Sequence, residues 1–242
     1  MSPQVPSPQA PHALPWDLLP TGTTRDERAR APVAVLPVGS YEQHGPHLPL
    51  ATDTVVACVL AAAIADAHPV RPLPPVTISC SHEHAAWPGT VSISARTLAA
   101  VVGDVAGSLG ASGVTTLVLV NGHGGNYVLG NVVQEASLGP LPMVLFPTEP
   151  DWADARAAAG LSTTNDEDMH AGELETSILL ATHPHLVTPP LVDQPATDRR
   201  RLLRRGLAPY TESGVVGRPS LASAEKGRAL LAALVASFAA HL

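Results

Sequence analysis

Residues 34–53 read AVLPVGSYEQHGPHLPLATD. An apolar run, Ala34 to Val38, gives way to a loop that carries Glu42, His44, His47 and Asp53. The run has the character of a buried strand. Polar groups just past such a strand fall where open α/β sheets place their ligand sites. Gly39, Gly45, Pro46 and Pro49 shape the segment as a loop rather than a helix. Carboxylate oxygen and imidazole nitrogen are the ligands that hold Zn, Mn or Fe(II) at an open, reactive site. The plainer alternative makes Glu42 and His44 ordinary loop polar groups and Asp53 a cap for the apolar run Thr54 to Ala67.

Outward from this stretch the chain keeps a rhythm. The pattern predicts a strand over Val33–Val38 and a helix over Thr54–Ala67. A second strand, Val76–Cys80, leads into Ser81-His82-Glu83-His84 and then Trp87-Pro88-Gly89-Thr90. Ser94-Ala95-Arg96 opens a helix to about Leu109. A third strand, Thr115–Val120, ends in Asn121-Gly122-His123-Gly124-Gly125-Asn126, followed by a helix over about Tyr127–Ala136 and a fourth strand, Met143–Phe146. Continuous apolar strands alternating with helices predict an α/β fold: a single layered domain, a mostly parallel sheet with helices on both faces. Acidic, small-residue-rich Glu149–Asp168 reads as a mobile flap. A helix follows from near Ala171 to Thr182, then irregular Val187–Gly217, then a final helix over Ala222–Ala240. Residues 1–14 (MSPQVPSPQAPHAL) read as a flexible, proline-rich tail, Trp16–Arg30 as a charged lead-in, and residues 15–242 as the functional domain.

The composition excludes several classes. At 242 residues and 45% hydrophobic, the chain can bury a sizeable core. Its formal net charge is −7 and no basic run alternates with aromatics, so neither nucleic acid nor an anionic membrane is an expected partner. The one basic group, Arg199-Arg200-Arg201 with Arg204-Arg205, is either a solvated helix face or a rim meeting an acidic substrate or a neighbouring subunit. Cys58 and Cys80 form no CxxC pair, so no disulfide framework or thiolate zinc site is expected. With no signal peptide and no bilayer-length apolar run, the expected location is the cytoplasm.

Two further clusters lie at element ends. The NGHGGN turn exposes His123 at a strand tip, beside the tip that carries Glu42 if those strands are neighbours. An incidental histidine in a glycine-rich turn is the alternative; a phosphate loop lacks its lysine and Ser/Thr here. In HAGELETS, His170 and Glu175 flank a helix start. Glu173 and Glu175, two apart, face nearly opposite ways on a helix. One assignment has Glu173 as an exposed cap carboxylate and Glu175 as the inward one; the other has both simply complementing the helix dipole.

Together, GSYEQHGPHLPLATD, SHEHAAWPGTVSIS, NGHGGN and HAGELETS resemble the creatininase family of metal-dependent amidohydrolases, with a weaker match in ESGVVGRPSLASAEKG. The resemblance implies a layered α/β domain, a homo-oligomer (a hexamer), and two divalent ions per chain, zinc first, with manganese or iron as alternatives. It implies Glu42 and His123 on one ion, His44 on the other, Asp53 bridging both, and His170 and Glu175 for acid–base work. Glu83, His84 and Trp87 are candidates for the wall of the substrate pocket or for contacts behind the metal ligands, with core packing the alternative for Trp87. Where creatininase has a metal-binding glutamate two residues after the turn histidine, this chain has Gly125, so either Glu175 completes the second site or that site is weaker or empty. The NGHGGN form is similar to other branches, including the deformylase of deazaflavin and archaeal riboflavin synthesis and the peptidase that trims the mycofactocin precursor.

The leading expectation is hydrolysis of a non-peptide amide C–N bond in a small or modified substrate, through a hydroxide bridging the two ions. A second is a peptidase or cyclase maturing a modified peptide. A third is a metal-binding scaffold whose chemistry has lapsed.

Overall fold

Strand β1 (Val33–Val38) is the spine of the sheet. A computed structural model describes residues 18–27 and 32–242; the tail 1–14 and the ends of the charged lead-in lie outside them. A short helix α1 (Thr24–Glu27) precedes β1. Then follow α2 (Thr52–Ala67), β2 (Arg71–Pro72), α3 (Ala95–Ala111), β3 (Thr116–Asn121), α4 (Val128–Ala136) and β4 (Met143–Phe146). Helices α5 (Glu149–Ala158), α6 (Glu173–Thr182), α7 (Leu202–Arg205) and α8 (Ala224–Phe238) complete the chain. The four strands are parallel in the order β2-β1-β3-β4.

Strand side chains alternate between two cores, as a period of two requires. Ala34, Leu36, Val38, Leu117 and Leu119 pack with Leu98, Val102 and Leu129 of α3 and α4. Val35, Val118, Val120 and Phe146 pack on the other face, with residues of α2, α5, α6 and α8. Both faces are therefore covered, and the fold class read from the sequence is the one observed.

The second strand is a correction. It was expected over Val76–Cys80, yet β2 is only Arg71–Pro72, and Val76 makes a single bridge to Val38. Prolines explain this. On that edge Val35 and Pro37 accept from Leu73 and Val76 N–H, but Pro37 has no N–H to return, and Pro72, Pro74 and Pro75 have none either.

The supposed flap is also a correction, because 149–168 is tied down. Thr148 caps α5 through Asp151 Oδ2, its backbone N–H donating over 2.8 Å. Buried Arg156 donates to Asp168 Oδ2 (3.0 Å) and to the Thr163 carbonyl (3.2 Å). Asp168 in turn accepts the first free N–H groups of α6, those of Glu173 and Leu174.

The C-terminal ends of β1 and β3 are adjacent, with Val38 paired to Asn121. That register brings the Glu42 loop beside His123. Gly122 lets α2 pass close by: a Cβ there would lie 2.3 Å from the Asp53 carbonyl oxygen. Asp53 is thus set between the two strand tips. Its carboxylate does not cap α2, whose N-cap is Ala51, but faces the loops.

Candidate metal centre

Asp53 joins two histidines. Its Oδ1 is 3.0 Å from His44 Nε2 and its Oδ2 is 3.0 Å from His123 Nδ1, while Ser40 Oγ donates to Oδ2 over 2.6 Å. Glu42 joins the other side: Oε2 is 3.2 Å from His123 Nε2, and Oε1 is 3.1 Å from His84 Nε2 and 3.8 Å from His170 Nδ1. Glu175 Oε1 stands 3.8 Å from His44 Nε2. Three groups could each hold a cation: Glu42–Asp53–His123, His44–His170–Glu175, and Glu42–His84–His170.

The residues fit a cation on a specific ground. Both Glu42 oxygens are fully buried and accept no hydrogen bond. Nearby imidazole nitrogens are close but poorly aligned. A buried, unsatisfied carboxylate is costly unless something positive meets its lone pairs.

The electrostatics agree. Burial raises the Glu42 carboxyl to about 8. Burial opposes charge on His123, but Glu42 and Asp53 outweigh it and push the imidazole up to about 10. Burial likewise disfavours ionised Asp53, yet His44 and His123 hold it well below the usual carboxylate range. His44 is raised because Asp53 overcomes its burial. Without an ion, protons on His44 and His123 supply the positive charge that the carboxylates demand, and cations would displace them.

Hydrogen bonds settle which nitrogen each ring offers. His44 Nδ1 donates to the Glu42 carbonyl (3.0 Å), leaving Nε2 for the centre. His170 Nε2 donates to the Gln43 carbonyl (2.7 Å), leaving the Nδ1 lone pair inward. Burial, with repulsion from charged His44, lowers His170 to about 4 and keeps it neutral. His84 is reversed. The Gln43 amide accepts from Gly45 N–H at Oε1, so its Nε2 donates to the Gly214 carbonyl and to His84 Nδ1 (2.8 Å). A neutral His84, with its pKa lowered by burial and then by His170 and His123, therefore presents N–H to Glu42.

The Ala171 backbone, at φ 53°, turns the chain between His170 and α6, and its N–H donates to Glu175 Oε2 over 2.6 Å. A left-handed alanine costs on the order of 1 kcal/mol. It places His170 and Glu175 on the same centre. Glu173 is not the exposed cap carboxylate of one sequence reading: it is fully buried and accepts from Ser162 and Thr163 N–H, Thr163 Oγ1 and Lys226 Nζ. Trp87 is half-buried with its ring 6.4 Å from that of His84. His47, buried beside Thr176, lies outside the candidate groups. Of the two places that sequence reading offered His84, behind the metal ligands or in a pocket wall, the first fits its contact with Glu42; Gln43 was not singled out.

Two cavities that share Tyr127 lie near the centre. One, of about 520 Å³, is lined by His123, Glu175, Trp152, Asn165, Met169 and Tyr127. The other, of about 530 Å³, is lined by Glu83, Gly125, Leu203, Arg204, Arg205 and the same Tyr127. Gly125 is what admits Glu83: a Cβ there would lie 2.1 Å from Glu83 Oε1 and 2.4 Å from His123 Nε2. Glu83 Oε1 is 3.8 Å from His123 Nε2. Among the described residues, no helix is long and apolar enough to cross a membrane.

A family model described as creatininase, creatinine amidohydrolase, matches residues 20–242. The chain is 34% identical over 230 residues, 90% of its length and 87% of the relative's, to a mycofactocin precursor peptide peptidase of Mycolicibacterium smegmatis. It superposes on a structure titled as a manganese form of creatininase with TM-score 0.75, at 25% identity over 86% of this chain and 88% of that one. A zinc–zinc form of a creatininase mutant gives TM-score 0.76, also at 25% identity, over 91% and 94%. Sheet, buried His/Glu/Asp groups and these likenesses agree: the chain belongs to the creatininase family of metal-dependent hydrolases.

Proposed function

We propose that this protein is a peptidase that cleaves one bond of a precursor peptide at a two-ion centre. Likeness to the precursor peptide peptidase over 90% of the chain carries the reading. It favours the peptide alternative over the non-peptide amide expected first, since the creatininase structures stand at 25% identity. The geometry suits it: one cavity is lined by His123 and Glu175 of the centre, and a second shares Tyr127 with it, leaving room for more than a small molecule.

In this reading Glu42, Asp53 and His123 would hold one divalent ion, and His44 and Glu175, with Asp53, would hold the other. When bound, the pair supplies Lewis acidity towards an amide carbonyl and an activated water. His170, neutral and fixed by the Gln43 carbonyl, carries its free Nδ1 towards the centre and can take up and return a proton there. His84 stands with Nε2 3.1 Å from Glu42 Oε1 and contributes no positive charge of its own. Trp87 supports His84, and Glu83 faces substrate from the second cavity.

The test uses the metal-loaded chain with the mycofactocin precursor peptide and, separately, creatinine. Mass spectrometry should show two fragments from a single cut in the peptide, and no creatine should form. Creatine formation with an intact peptide would overturn the reading. Metal analysis should find two ions per chain, and a chelator should abolish cleavage until zinc or manganese is returned. Glu175→Ala should retain one ion; two ions with full activity would remove Glu175 from the second site.

A further inference from the structure

We propose that the cavity between the His82–His84 turn and α7 is a subsite for a carboxylate-bearing segment of a peptide, read by Arg204 and Arg205. The inference rests on the peptidase reading for its ligand class and adds the chemistry that the ligand must carry.

The cavity is built into the fold. Helix α7 is docked on the turn that bears Glu83: Leu207 N–H donates to the Glu83 carbonyl over 2.8 Å, and Arg201 N–H donates to Tyr210 Oη over 3.1 Å. The backbone that carries the arginines is thereby held beside the Glu83 turn. At about 530 Å³ the space falls within the range of roughly 300–1,000 Å³ typical of ligand sites.

Its charge pattern is unusual for this chain. A protein of formal net charge −7 places five arginines between positions 199 and 205. Two are answered locally, Arg199 by Asp166 (2.9 Å) and Arg200 by Asp198 (2.8 Å). Arg204 and Arg205 are exposed, line the cavity, and make no ion pair with a described residue. Guanidinium matches carboxylate in a two-pronged geometry. The walls between them are apolar and open: Leu203 is 82% exposed and Tyr127 is 62% exposed. Apolar walls with two cations and the Glu83 carboxylate in one lining suit a peptide lying in the cavity. Its amide N–H groups would face Glu83, and a carboxylate would face α7. That carboxylate is either a C-terminus or an Asp/Glu side chain.

Calorimetry on the metal-loaded chain tests this with three probes: Ala-Ala-Ala, Ala-Ala-Ala amide and Ala-Asp-Ala amide. At least one carboxylate-bearing probe should bind about tenfold tighter than Ala-Ala-Ala amide, and the preferred probe identifies the source. In Arg204→Glu/Arg205→Glu protein that preference should vanish, while metal content and binding of Ala-Ala-Ala amide persist. Equal binding of all three probes, or a preference that survives charge reversal, would overturn the proposal. So would a change of oligomeric state on charge reversal, measured by sedimentation, since the arginines would then face a second copy. Cleavage of the precursor peptide is scored apart: carboxylate preference without any cleavage sinks the peptidase reading and leaves the subsite standing.

Discussion

Asp53→Ala protein is expected to carry no metal and to turn over at less than about one-thousandth of the parent rate, the scale on which removing a member of a catalytic unit acts. Asp53 is the carboxylate that lies within 3.0 Å of both His44 and His123, so each proposed ion position depends on it. No neighbour can replace it: Glu42 Oε2 reaches His123 and Glu175 Oε1 approaches His44, each serving one side. Removing Glu175 should therefore cost one ion and removing Asp53 two. Asp53→Asn, which keeps the shape, separates charge from packing and should also lose both ions. Metal analysis by mass spectrometry, beside a circular dichroism spectrum showing an intact fold, decides the matter. An Asp53→Ala protein that retained even one ion at full occupancy would remove the bridging role.

Glu173→Ala should do the opposite, keeping two ions and losing stability. The carboxylate is fully buried and joins three elements: α6, the Ser162–Thr163 turn and Lys226 of α8. Cutting it strands two backbone N–H groups and leaves Lys226 without its partner. The expected loss is about 3 kcal/mol, discounted from the fully buried case because Lys226 keeps some solvent. For a chain of this size that lowers Tm by roughly 6–12 °C. The pH dependence has a definite sign. Burial works to raise the Glu173 pKa, but Lys226, Thr163 and the Ser162 N–H outweigh it and the net shift is downward. A depressed carboxyl contributes stability that is fully present above its unfolded pKa, about 4.3, and is lost as the pH falls through the folded value. The difference between parent and variant should shrink on acidification below about pH 4. A constant gap across that window would show that packing, not charge, is what Glu173 provides.

Much of this was legible in the sequence. Apolar strands and helical spacing placed β1, β3, β4 and the long helices within a few residues of where they lie. The three polar clusters fell at strand or helix ends, and the β1–β3 pairing brought Glu42, His44, Asp53 and His123 together. What failed has physical causes. Periodicity registers apolar residues at Val76–Cys80 but not the missing N–H of Pro37, so it drew a strand where only a bridge forms. It gave Glu173 and Glu175 opposite directions, correctly, without showing that both directions end in protein. Acidic, alanine-rich composition at 149–168 suggested mobility, because the buried Arg156–Asp168 pair that holds it is a tertiary contact.

Gln43 carries a last consequence. Through its side-chain amide it turns an N–H of His84 towards Glu42, and through its carbonyl it turns a bare nitrogen of His170 towards the same oxygen. Of the three groups able to take a cation, the one containing His84 thus has a hydrogen where its third donor should be. An uncharged residue thereby sets which nitrogens the centre can offer to a cation.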